Sequence, residues 1–302
     1  MPQQDAISAP PLHLMRLATY AAVAVAAILI STKLAAWLIT GSVAMLSSLI
    51  DSILDASASL LNLLAVHFAV QPADKEHRFG HGKAEPLAGM GQTLFIGASG
   101  MLVLAEALPR LLRPEPVEQA EIGIAVMLIS IVLTIGLVRF QHYVIRRTGS
   151  VAISADSLHY TGDLLMNAAI ILSLLLSKYL GWHIADPIFA IGISIYVLYT
   201  ATRIARSSLD ILMDRELPDE DLARIREICL RHPEVHGVHD LRTRSSGLTR
   251  FIQLHLELDG EVALRHSHAV SDRVAMEIRD AFPDAEVIIH QDPVDAASRR
   301  AR

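Results

Sequence analysis

Residues 42–70 read SVAMLSSLIDSILDASASLLNLLAVHFAV. A single helix crosses a bilayer with about 20 largely apolar residues, and this run is long enough to do so. It carries two carboxylates, Asp51 and Asp55, four positions apart and so on one helix face about one turn from each other. Residues 150–178, SVAISADSLHYTGDLLMNAAIILSLLLSK, repeat the design with His159 and Asp163. An ionisable group inside a bilayer is expensive and is rarely kept without a task. The two runs therefore predict an α-helical membrane protein whose chemistry lies within the membrane.

Four more apolar segments surround this pair: 14–39, Pro86 to Ala105, Ile122 to Val138, and Pro187 to Thr202. The total is six transmembrane helices, the segments at 42–70 and 150–178 being the second and fifth. Composition agrees, with 52% apolar and 19% charged residues in 302, against about 25% charged in soluble domains. Charges crowd after Ile204, so a membrane domain over 1–208 is followed by a soluble domain over 209–302. A net charge of -6 gives no basic footprint, which argues against nucleic acid as a partner. Cys229 is the single cysteine, so an intrachain disulfide framework and a cysteine-rich zinc site are both excluded. It reads as a buried helix residue. Met1 to Pro11 lacks the features of a removable signal peptide.

Six spans bring both termini to one side. That side collects Lys75, Arg78, Lys83, Arg146, Arg147, Arg203 and Arg206, against Arg110, Arg113 and Lys178 on the other. The excess of cations marks the first side, and with it both termini, as cytoplasmic. Beyond the membrane domain, helical spacing from Pro218 to His232 and over 262–282 alternates with strand patterns. The strands are expected at His239 to Arg244, Thr249 to Leu258 and Glu286 to His290. This αββαβ order predicts a small α/β domain with two helices on one face of a three-stranded sheet.

Two helices that each present a pair of polar groups can bring four ligands to one point. Three carboxylates and one imidazole suit a tetrahedral divalent metal of the zinc type. The lack of thiolates suits a carrier, which must release its ion. Asp156, one turn before His159, could back the metal ligands but is expected rather at the cytoplasmic boundary, and Asn62 and Asn167 as hydrogen-bonding groups between helices. In the loop after the second span, Asp74, His77 and His81 have a spacing that could wrap one metal, although a polar loop is the more frequent explanation of such a run. His239, His255 and His290 fall on three expected strands, where one sheet could gather them or leave them as exposed strand residues. His232, His236 and His266 fit no motif and read as surface residues.

The Asp51/Asp55 and His159/Asp163 pairs, the Phe-Gly-His81-Gly-Lys83-Ala-Glu85 run, and the His239-Asp-Leu-Arg-Thr-Arg and Val-Ile-Ile-His290-Gln-Asp292-Pro runs occur in one order over about 14–294. In this the chain resembles the cation diffusion facilitator family, its bacterial zinc and ferrous-iron efflux pumps above all. The resemblance implies a transport site at Asp51, Asp55, His159 and Asp163, and a second metal site at Asp74, His77 and His81. It implies a binuclear cytoplasmic site at His239, His255, His268, His290 and Asp292, with Gln291 as a backbone ligand, in a metallochaperone-like domain. It also implies a homodimer in the bacterial inner membrane, interlocked by the Lys83 and Asp214 charge pair.

The expected activity is proton-coupled efflux of Zn²⁺ first, with Cd²⁺ and Fe²⁺ as further substrates, because metal and protons compete for the same ligand atoms. His159 is the natural proton carrier, since an imidazole titrates near neutrality. An intramembrane metal-dependent hydrolase is disfavoured. The chain has no His-Glu-x-x-His or Gly-x-Ser-x-Gly motif, and four protein ligands leave no open position for water. A metal sensor using the same residues would bind zinc yet carry none.

Overall fold

Six long helices open the chain: α1 (Leu12–Thr40), α2 (Val43–Ala69), α3 (Ala84–Leu112), α4 (Glu121–Thr148), α5 (Val151–Leu180) and α6 (Ala185–Leu212). They are followed by α7 (Asp219–Leu230), β1 (Gly237–Ser246), β2 (Thr249–Leu258), α8 (Leu264–Ala281) and β3 (Ala285–Pro293). The computed structural model describes residues 12–41, 43–112, 121–182 and 184–294. The readings made on Met1 to Pro11 and on Arg113 lie outside these residues. The described chain divides into two units that meet between Leu209 and Asp210, in the last turn of α6.

In the helical unit α1 packs on α2 and α4, α5 on α3 and α4, and α2 on α3 and α5. Ile193, Val197, Ala201 and Ile204 of α6 join Ile96 of α3 and Leu158 of α5 in one apolar cluster. Small residues let these helices approach. A Cβ on Gly89 of α3 would meet Val151 Cγ1 at 3.1 Å and Ser208 Oγ at 3.2 Å. The exterior is apolar and the interior carries polar groups. Leu38, Ile39 and Leu102 are at least 70% exposed, whereas Gln141 and Asp156 are at most 1% exposed. That inversion suits a lipid surround, which solvates leucine and rejects amides.

By length and apolar character α1, α2, α3, α4 and α6 can each cross a membrane. The 30-residue α5 does not join them, and it holds Asp156, His159 and Asp163 within its first half. Helices α3, α4 and α6 all run past the ends expected from sequence. The apolar runs stop at charges, but a helix continues beyond them once its charges pair along one face. The Glu106–Arg110 contact at 2.6 Å is such a pair.

In the C-terminal unit the sheet order is β1-β2-β3, with β1 antiparallel and β3 parallel to β2. Alternation along β2 sends Ile252, Leu254, Leu256 and Leu258 into the core with Ile225, Ile228 and Cys229 of α7 and Val270, Val274 and Ile278 of α8. Gln253, His255 and Glu257 face the other way. Phe251 is buried on that other face, beneath the Arg244 guanidinium at 4.5 Å from its ring. Cys229 is fully buried, and burial pushes its thiol up to about 12. His232 is not the surface residue its sequence context suggests: its side chain is 11% exposed and lies 3.2 Å from Glu277.

Candidate metal centres

Helices α2 and α5 meet where each carries its polar pair. His159 Nε2 lies 3.0 Å from Asp55 Oδ1 and 3.7 Å from Asp163 Oδ2. One ligand atom from each of Asp55, His159 and Asp163 falls within 4.8 Å of the others. Asp51, expected as the fourth ligand, is an exposed residue one turn earlier on α2 and is not in this group. Three groups are thus convergent, and the fourth sits on the adjoining turn of the same helix face.

Behind the triad lies a polar network of which the sequence reading anticipated only the interhelical role of Asn62. Asp156 is 1% exposed, enclosed by the helices around α5. Its Oδ1 accepts from Gln92 Nε2 at 3.2 Å and Ser59 Oγ at 3.3 Å, and its Oδ2 from Gln141 Nε2 at 2.6 Å. One carboxylate of α5 therefore ties α2, α3 and α4 together. Tyr160 and Ser59 share a hydrogen bond at 2.9 Å, and the Tyr160 hydroxyl reaches the Ala22 carbonyl of α1 at 3.4 Å. Asn62 donates to the Ala152 carbonyl at 3.4 Å. Glu85, 3% exposed on α3, accepts from the Val151 N–H at 2.8 Å and so caps the start of α5. The one signal of this network in the sequence was the density of amides and hydroxyls in apolar runs.

In the loop between α2 and α3, Asp74, His77 and His81 come together within 4.8 Å. Asp74 Oδ1 accepts from the backbone N–H groups of His77 at 2.6 Å and Glu76 at 2.9 Å, an aspartate turn. The His77 N–H bond holds the Asp74 carboxyl below the usual carboxylate range. His81 Nε2 lies 3.3 Å from Asp74 Oδ2, and the two imidazole rings are 4.5 Å apart.

On the helix-free face of the sheet, register pairs His239 with His255 and His255 with His290, so three imidazoles form one rung. Asp292, 6% exposed, anchors them. Its Oδ2 lies 2.8 Å from His255 Nδ1 and 3.1 Å from His239 Nε2, and its Oδ1 lies 3.3 Å from His290 Nε2. One ligand atom from each of His239, His255 and Asp292 lies within 4.8 Å of the others. His268 on α8 stands apart from this group and contacts Asp272 at 3.3 Å. Glu257, which sequence reasoning did not select, lies 2.9 Å from His239 Nδ1. The register shift after His239 coincides with Asp240, whose φ is 49° and whose carboxylate lies 3.7 Å from His255 Nε2. Of the two charge-interlock candidates, Lys83 precedes α3, and Asp214 follows α6 and accepts from Arg244 at 3.3 Å.

Residues 19–213 match the cation efflux transmembrane domain, and residues 217–294 the cytoplasmic domain of cation efflux proteins. The chain is 49% identical over 281 residues to the cation-efflux pump FieF of Klebsiella pneumoniae, covering 93% of each chain. It is 47% identical over 290 residues to the cation-efflux pump FieF of Escherichia fergusonii, covering 96% of each. Among solved structures it is similar to the metal-bound C-terminal domain of the CzcD transporter from Thermotoga maritima. There the identity is 29%, the cover 25% of this chain and 88% of that one, and the TM-score 0.24. The chain belongs to the cation diffusion facilitator family of membrane cation-efflux transporters, which are not enzymes.

Proposed function

We propose that the protein exports divalent transition-metal ions, Zn²⁺ first and Cd²⁺ and Fe²⁺ after it, in exchange for protons. The observation that carries this reading is the convergence of Asp55, His159 and Asp163 from two helices of the membrane unit. Asp51 completes the donor set by reaching along the same face of α2 from the adjoining turn. Carboxylates draw the dication in, and a single imidazole biases the site toward later metals. Each ligand must be deprotonated to bind, so protons from the far side displace the ion and return in its place. In this reading α5 is the sixth span, its polar residues facing the helices around it. The chain acts as a homodimer in the inner membrane with both termini in the cytoplasm, and Lys83 and Asp214 interlock its membrane domains.

The loop triad and the histidine rung are further metal sites, the latter built on His239, His255, His268, His290 and Asp292. His268 would have to be brought to the rung by movement of α8 or by a second bound ion. Reconstituted vesicles decide the transport claim: Zn²⁺ should exchange for protons in the wild type and fall to background in Asp55→Ala. Downhill zinc flux indifferent to a pH gradient would sink the coupling. Zinc binding without flux would favour a sensor.

A further inference from the structure

Lys33 is a cation within the first spanning helix, half-buried and unused by any of the metal centres. A lysine in such a place ordinarily extends along its helix to reach the interface. This one turns sideways. Its Nζ donates to Ser52 Oγ at 2.6 Å and to the Ser48 carbonyl at 3.2 Å, both on α2. Ser52 is 3% exposed and adjoins Asp51, so the ammonium is fixed against the turn of α2 that carries the first carboxylate. The acids that act on Lys33 are Asp55, Asp163 and Asp51.

We infer that Lys33 is a positioning residue of the transport site, a tethered cation that balances the empty carboxylates and weakens metal binding enough for release. The inference rests on the transport site proposed above. An empty cluster of carboxylates in a membrane needs a counter-charge, and a lysine on the neighbouring helix supplies one without occupying the ligand positions. When a dication enters, the same lysine repels it. The site then holds metal less tightly than its donors alone would allow, which a carrier requires and a storage site does not.

Zinc transport by wild type, Lys33→Met and Lys33→Arg in vesicles tests this. Lys33→Met should lower the KM for Zn²⁺ by at least about tenfold, since repulsion between a unit charge and a dication at an effective dielectric of about 20 exceeds that factor at any separation under about 20 Å. Its maximal rate should fall as release slows. Lys33→Arg, which keeps the charge, should resemble the wild type. An unchanged or raised KM in Lys33→Met, an undiminished maximal rate, or a Lys33→Arg protein that behaves like Lys33→Met overturns the role. If Lys33→Met accumulates poorly, Ser52→Ala, which frees the ammonium from α2, should lower KM in the same direction, and an unchanged KM there is equally fatal. Asp55→Ala separates the two levels. Full exchange in that variant removes the transport site itself, whereas a dead Asp55→Ala beside an unshifted Lys33→Met removes only the part given to Lys33.

Discussion

At the scale of single residues, His159 is the one imidazole in the cluster proposed to carry metal, 3.0 Å from Asp55 and 3.7 Å from Asp163. Replacing it by aspartate makes an all-oxygen site, which suits harder ions. His159→Asp should therefore raise Mn²⁺ flux relative to Zn²⁺ in competition assays, and unchanged selectivity would refute the single-imidazole argument. Asp74 makes a different kind of prediction. Its carboxyl is held below the usual range by the His77 N–H, so the order it gives the loop is present above the unfolded pKa and is lost as pH falls through the lower folded value. Protection of the His77 amide from hydrogen exchange should persist through the ordinary aspartate value of about 3.9. Loss of protection at or above that value contradicts the assignment.

At the scale of elements, α5 is held by the Asp156 hydrogen bonds to α2, α3 and α4. Asp156→Leu leaves the donors of Ser59, Gln92 and Gln141 without their acceptor, at a cost of about 2–4 kcal/mol. The melting temperature in detergent should drop by about 5–10 °C. Asp156→Asn should keep most of the stability, because Gln141 can flip its amide and accept from the new NH₂ through Oε1, which is now buried without a hydrogen bond. Equal losses in the two variants would show that the network is not what fixes α5. The same helix marks a limit of sequence reading. Its i, i+4 pair was legible because helical periodicity is local. The burial of Asp156 was not, since it depends on which helices close around that turn.

At the scale of the whole molecule, the histidine rung offers a way for cytoplasmic metal to act on the C-terminal domain. If the site regulates transport, His255→Ala and His290→Ala should shift the zinc dependence of flux while the dimer stays intact by size-exclusion chromatography. If it only holds protomers together, those substitutions should dissociate the dimer and leave zinc activation unchanged in what remains. A rung of three imidazoles on a carboxylate also predicts that zinc raises the melting temperature of the full chain and that a chelator reverses this. Both effects should be lost in Asp292→Ala, whose side chain touches all three rings.

The sequence by itself determined the membrane helices, the αββαβ order and the polar pairs on α2 and α5. Apolar run length, strand alternation and i, i+4 spacing are all local, and each survives whatever the chain packs against. Only the tertiary structure decided which of those polar groups meet. It brought Asp55, His159 and Asp163 together and left Asp51 on the turn beside them. Strand register aligned His239, His255 and His290 while leaving His268 with Asp272. Lys33 lies inside the apolar segment 14–39, and its role emerges only when α1 lies against α2. Charge in a membrane is governed by its nearest partner, and partners on different helices are set by packing, which no single segment encodes.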